Sequence, residues 1–174
     1  MSHFDPILAE LEQEAATTRR ILERVPSDQL QWRPHEKSMS LGQLALHIAG
    51  IPGNISAMLS NDSYQINPAA FANPAVPESK PEIMATLEKG LDQARNFLAA
   101  LTPESAGATF RLMAGPIEVL AIPRAAGIRT IMLNHWYHHR GQLSVYLRLL
   151  NVPVPIVYGV SADENPLRGM AIGG

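Results

Sequence analysis

The chain of 174 residues contains no cysteine. That absence removes disulfides, thiolate metal ligands, iron–sulfur clusters and a cysteine nucleophile together, and it suits a reducing compartment. Charge of one sign is also lacking. Lys plus Arg numbers 14 against 16 Asp plus Glu, a formal net charge of −2, and no basic block is present to track a phosphate backbone. Nucleic acid is therefore not an expected partner. No apolar run approaches the ~20 residues that span a bilayer, so no membrane is expected either. The N-terminal MSHFDPILAELEQE is acidic and amphipathic, without the basic start and unbroken apolar core of a secretory signal, and the expected location is the cytoplasm. Without such a signal, the acceptor patterns at Asn54-Ile55-Ser56 and Asn61-Asp62-Ser63 are chance matches.

What is present is helical periodicity, in four segments. The length fits a single domain over residues 1–174, able to bury a core without covalent staples. The first helix is predicted from about Asp5 to Val25, with Asp5-Pro6 at its start and Ile7, Leu8, Leu11, Ala15, Thr18, Ile21 and Leu22 along one face. The second starts at Ser40, runs to about Leu59 and carries Pro52 between Gly50 and Gly53, where a bend is expected. The third follows the capping-box pair Ser79 and Glu82 and ends near Leu101. The fourth extends from near Pro123 to Leu150, where Asn151-Val152-Pro153 stops it.

The connections are long. Pro68, Pro74 and Pro77 punctuate the stretch between the second and third helices. Between the third and fourth, Thr109–Met113 and Ile117–Ala121 flank Ala114-Gly115-Pro116 and read as a short β-hairpin. The tail from Pro153 to Gly174 is rich in Pro and Gly and is expected to pack without regular structure. The fold class that follows is all-α, a four-helix bundle with long connections and a minor hairpin.

Three of the six histidines fall within His135-Trp136-Tyr137-His138-His139. On a helix His139 lies ~40° from His135 and one turn along, and His138 lies ~60° to the other side, so spacing alone permits either pair to face one ion. The presumed buried stripe of this helix runs Ile128, Ile131, Met132, His135, Gln142 and Tyr146, while His138 and Arg140 point toward the edge or surface. A ladder of His, Gln and Tyr on a buried face needs polar partners, and a metal supplies them for the imidazoles. His47 is a second polar interruption, between Leu44, Ile48 and Ile51. A lone histidine in such a stripe is ordinarily a satisfied core residue. If it faces the fourth helix, however, three imidazoles converge and a coordination position stays open. Trp136 occupies the place of the glutamate in His-Glu-x-x-His proteases, which excludes that chemistry. His3 and His35 read as solvated or local, and Trp32 as a packing anchor.

The run His135-Trp136-Tyr137-His138-His139-Arg140-Gly141-Gln142-Leu143 resembles the closing signature of the DinB/YfiT-like superfamily of metal-dependent enzymes. Trp32-Arg33-Pro34 followed by Ser40 to Ile48, and Val152-Pro153 followed by Tyr158-Gly159, extend the resemblance over nearly the whole chain. The resemblance implies that His47, His135 and His139 hold the metal, which decides against His138. It implies an antiparallel four-helix bundle, often dimeric, among relatives that include transferases and isomerases using a low-molecular-weight thiol; the expected activity is a metal-dependent hydrolase or such a transferase. The expected cofactor is a divalent metal ion, zinc or nickel, since all-nitrogen ligation disfavours the iron pattern that includes a carboxylate. The expected partner is a small-molecule substrate or such a thiol. Gln142 and Tyr146 are expected to support the ligands from outside, and catalytic residues beyond the ligands are not assigned. The competing class is a non-catalytic metal-binding or sensing module.

Overall fold

The computed structural model describes residues 4–68 and 74–168; His3 and the end of the tail lie outside them. The chain is mostly helical, with a small sheet. Helix α1 spans Asp5–Glu23 and α2 Leu41–Leu59, joined through a short 3-10 turn at Ser27–Gln29. Strand β1 is Ser63–Gln65, α3 Lys80–Ala100 and α4 Pro103–Gly107. Strands β2 (Thr109–Ala114) and β3 (Ile117–Pro123) form the expected hairpin. The last rod is in three parts: α5 (Arg124–Gly127), a π-helical stretch (Ile128–Leu133) and α6 (Asn134–Leu149).

Local chemistry explains the boundaries. At the start of α2 the Ser40 hydroxyl accepts from the Gln43 N–H while the Gln43 side chain accepts from the Ser40 N–H, a complete capping box. At α3 only half of that device forms, because Glu82 turns to the N–H of Glu78 instead of Ser79. Helix α6 stops where Asn151 adopts φ 57°, which lets the Val152 N–H reach the Leu147 carbonyl at 2.9 Å. Pro153 follows.

Two differences from the sequence expectation concern the sheet and the core stripe of α6. The hairpin does not stand alone: β1 pairs in parallel with β2, giving a three-stranded sheet in the order β1-β2-β3. Three exposed residues, Ser63–Gln65, carry no periodic signal that sequence reasoning could use. On α6 the buried residues are Trp136, Arg140, Leu143 and Leu147. Arg140 is therefore not at the surface. Its side chain is 1% exposed, and its charge is met by the Glu14 carboxylate, the Thr18 hydroxyl at 3.1 Å, the Glu14 backbone carbonyl at 3.1 Å and the Tyr158 hydroxyl. A buried arginine so paired interrupts the apolar pattern, which is why the stripe looked one residue out of phase. Gln142, placed on that stripe from sequence, is exposed.

Helices α1 and α2 each pack on both α3 and α6. The α2–α3 crossing is very close: a Cβ placed on Gly53 would come within 2.7 Å of the Gly90 Cα. Pro52 does not break α2, which stays helical to Leu59. Among the described residues no helix is long and apolar enough to cross a membrane.

The glycines divide by neighbourhood. Gly53→Ala forces two backbones apart and should destabilise by about 1–3 kcal/mol despite the better helix propensity of Ala. Gly141 lies mid-helix, and a Cβ placed there would meet nothing within 4 Å. Gly141→Ala should accordingly stabilise by about 0.5–1 kcal/mol. Denaturant midpoints of the two variants check both signs, and a neutral Gly53→Ala would contradict the crossing.

Candidate metal centre

Helix α2 contributes His47, and α6 contributes His135 and His139 one turn apart. The structure brings all three together, half-buried, with one ring nitrogen from each within 4.8 Å of the others. His47 Nε2 lies 3.3 Å and His139 Nε2 lies 2.8 Å from His135 Nε2. Two nitrogens on a tetrahedral ion with bonds of ~2.0–2.1 Å stand about 3.3 Å apart, so the spacing fits a small divalent ion with little adjustment.

The outer nitrogens sharpen the case. Gln142 Oε1 is 2.7 Å from His139 Nδ1 and accepts a hydrogen bond from its N–H, which leaves the lone pair on Nε2. His135 Nε2 faces the Nε2 atoms of both other rings. The Nε2 atoms of His135 and His139 stand 2.8 Å apart, close enough for one cation to take a lone pair from each. The turn before α6 is π-helical, with the Asn134 N–H bonded five residues back to Arg129, and π turns recur at functional sites because they re-aim the residues that follow.

Burial holds the imidazoles neutral. His47 is lowered from its ordinary 6.5 to about 4, first by desolvation and then by repulsion from His139 and His135. His135 is lowered by burial and by His139, against the opposing pull of the Ile131 backbone. His139 is lowered by burial, opposed by Gln142. Neutral imidazole is the form that ligates.

The remaining candidates fall elsewhere. His138 is exposed, its ring 5.0 Å from that of His139 and outside the cluster. His35 is exposed and its Nδ1 accepts from the Lys37 N–H. The Tyr146 hydroxyl donates to the Met39 carbonyl at 3.1 Å, and its ring meets Trp32 edge-on at 5.7 Å, so Tyr146 anchors the loop entering α2 rather than touching a histidine. Sequence reasoning missed the group behind the site, Glu14, Arg140 and Tyr158. The available signal was Arg140 standing four residues after Trp136 and three before Leu143.

Three half-buried neutral imidazoles on two helices of a mostly helical domain define a candidate metal-binding protein. Comparison with known proteins places it further: the sequence matches the DinB family over residues 1–167, and the chain belongs to that family. The uncharacterized protein YrdA of Bacillus subtilis (strain 168) is 26% identical over 162 residues, covering 92% of this chain and 91% of that protein. A DinB-like protein of Bacillus cereus ATCC 10987 superposes with a TM-score of 0.69 at 22% identity, over 87% of this chain and 95% of the other. The DinB-like protein YjoA of Bacillus subtilis gives 0.66 at 19% identity, over 88% and 97%. At these identities the two structures establish the fold.

The depressed histidines set a pH dependence for the metal-free protein. In the unfolded chain His47 takes up its proton near pH 6.5, whereas in the folded chain it does so only near pH 4. Its contribution is complete above 6.5 and is lost as pH falls toward 4. Wild type should therefore lose stability more steeply than His47→Gln between pH 6.5 and 4, read as denaturant midpoints in chelator. Parallel slopes would show that His47 is not held neutral.

Proposed function

We propose that the chain is a divalent-metal-dependent enzyme, a hydrolase or a small-thiol-dependent transferase, with His47, His135 and His139 as ligands and zinc or nickel as the ion. The observation that carries this is the convergence of three Nε2 atoms, with that of His135 2.8 Å from His139 and 3.3 Å from His47. A divalent ion on three imidazoles supplies Lewis acidity that brings the pKa of a bound water or thiol to near ~7. Three protein ligands leave a position for that group. The protein's own side chains do the rest: burial keeps the imidazoles neutral, and Gln142 fixes the tautomer of His139. Since the chain has no cysteine, a reacting thiol must arrive as a small molecule. Membership of the DinB family supports the reading.

The same reading takes α1, α2, α3 and the α5–α6 rod as a four-helix bundle, supported by α1 and α2 each packing on both of the others. It takes the assembly to be a homodimer and the location the cytoplasm.

Metal analysis of the native protein, a cobalt(II) titration, and screens for thiol conjugation and hydrolysis test the proposal. Each of His47→Ala, His135→Ala and His139→Ala should abolish tight binding, while His138→Ala should keep most of it. Equal loss at His138 would move the site. Tight binding with no turnover in either screen would favour a sensing or storage module.

Gln142 provides a separate check. Gln142→Leu keeps a good helix former of similar size on an exposed position. Metal affinity should fall by ~10–100-fold, the usual scale for losing an outer hydrogen-bond partner. An unchanged dissociation constant would remove Gln142 from the site.

A further inference from the structure

Proline has no N–H, so a proline inside a helix leaves the carbonyl four residues earlier without its helical donor. For Pro52 that carbonyl belongs to Ile48, which is fully buried and out of reach of water. The structure supplies a donor from another helix: the indole Nε1 of Trp136 gives its hydrogen to the Ile48 carbonyl at 2.9 Å. Trp136 is itself 0% exposed. This bond joins the residue after His47 to the residue after His135, and so lies directly behind the imidazole pair.

From this geometry we infer that Trp136 is a positioning residue of the histidine centre, keyed by its N–H into the carbonyl that Pro52 leaves open. The inference rests on the metal reading given above. A register lock is needed here for a physical reason. His135 follows a π-helical stretch, whose extra residue per turn rotates what comes next, so the path of the chain into α6 does not by itself fix how α6 meets α2. Apolar packing is non-directional and tolerates small slides. A hydrogen bond to a single available carbonyl does not. On the regular part of α2 the interior carbonyls are already taken by N–H groups four residues on, so the position opened by Pro52 is specific. It also accounts for a helix-interior proline that otherwise only weakens α2.

The experiment compares wild type, Trp136→Phe, Pro52→Ala and the double variant Pro52→Ala/Trp136→Phe. Three quantities are read: cobalt(II) affinity, the visible absorption of the cobalt-loaded protein and the melting temperature of the metal-free protein. Trp136→Phe keeps an aromatic ring but orphans the Ile48 carbonyl, so both stability and affinity should fall, affinity by ~10–100-fold with altered cobalt bands. In the double variant the Pro52→Ala change restores a helical N–H donor to the Ile48 carbonyl. The melting temperature should recover toward wild type while cobalt affinity and spectrum stay displaced, because the bond between helices is still missing. Affinity that recovers together with stability would show that Trp136 merely satisfies a carbonyl, and would overturn the inference. So would an unchanged affinity and spectrum in Trp136→Phe. If Trp136→Phe does not fold, the double variant set against Pro52→Ala gives the same comparison. A wild type that binds no cobalt would instead defeat the metal reading itself, and the positioning role with it.

Discussion

Three uncharged imidazoles from two helices converge to within 4.8 Å, and much of the architecture can be understood as meeting that constraint. Burial resists their protonation, and for His47 and His135 the neighbouring rings resist it further. The surrounding helices must therefore hold three polar rings close together in partly buried surroundings. Two bonds fix direction as well as distance: Gln142 on the far side of His139, and the Trp136 indole on the Ile48 carbonyl.

Behind the histidines stands a second polar layer of a different kind. Arg140 and Glu14 are a buried ion pair, 1% and 6% exposed, and the pair ties α6 to α1. The Arg140 guanidinium also lies over the rings of Tyr137 and Tyr158, at 5.3 and 4.9 Å. Tyr158 donates to Glu14 at 2.9 Å and Tyr137 donates to Glu10 at 2.8 Å. Burying a charge in this way contributes little net stability beside an apolar core, but it is costly to break from one side. Its effect here is to specify which face of α6 meets α1, and hence which face carries His135 and His139 toward α2. The tail after Pro153 joins the same system through Tyr158, and through Glu164 and Asp163, which pair with arginines on α1 and α6.

The α2–α3 side is set by close approach instead of charge. Gly53 and Gly90 let the two backbones touch, with Pro52 immediately beside the contact. Small residues on one flank of α2 and His47 on the other give this helix two unlike faces. A hydropathy pattern records neither, since glycine and histidine both read as interruptions.

The sequence by itself determined the four long helical segments and where they stop, the Ser40 cap, the hairpin, and the placing of His135 and His139 one turn apart. Each of these is a local property, set by periodicity, by proline and glycine, and by side chains that bond to their own backbone. The three histidines were legible as anomalies in apolar surroundings, with the choice between His138 and His139 resting on resemblance to a family. Only the tertiary structure decided that the core stripe of α6 runs through Trp136 and Arg140, that Gln142 is exposed yet reaches His139, and that β1 adds to the sheet. The reason is the same in each case. Arg140 becomes a core residue only because Glu14, more than a hundred positions earlier, neutralises it, and Pro52 becomes a receptor for Trp136 only once α6 lies against α2. Partners distant in sequence leave no periodic trace in either segment, so their meaning exists only after the chain has folded.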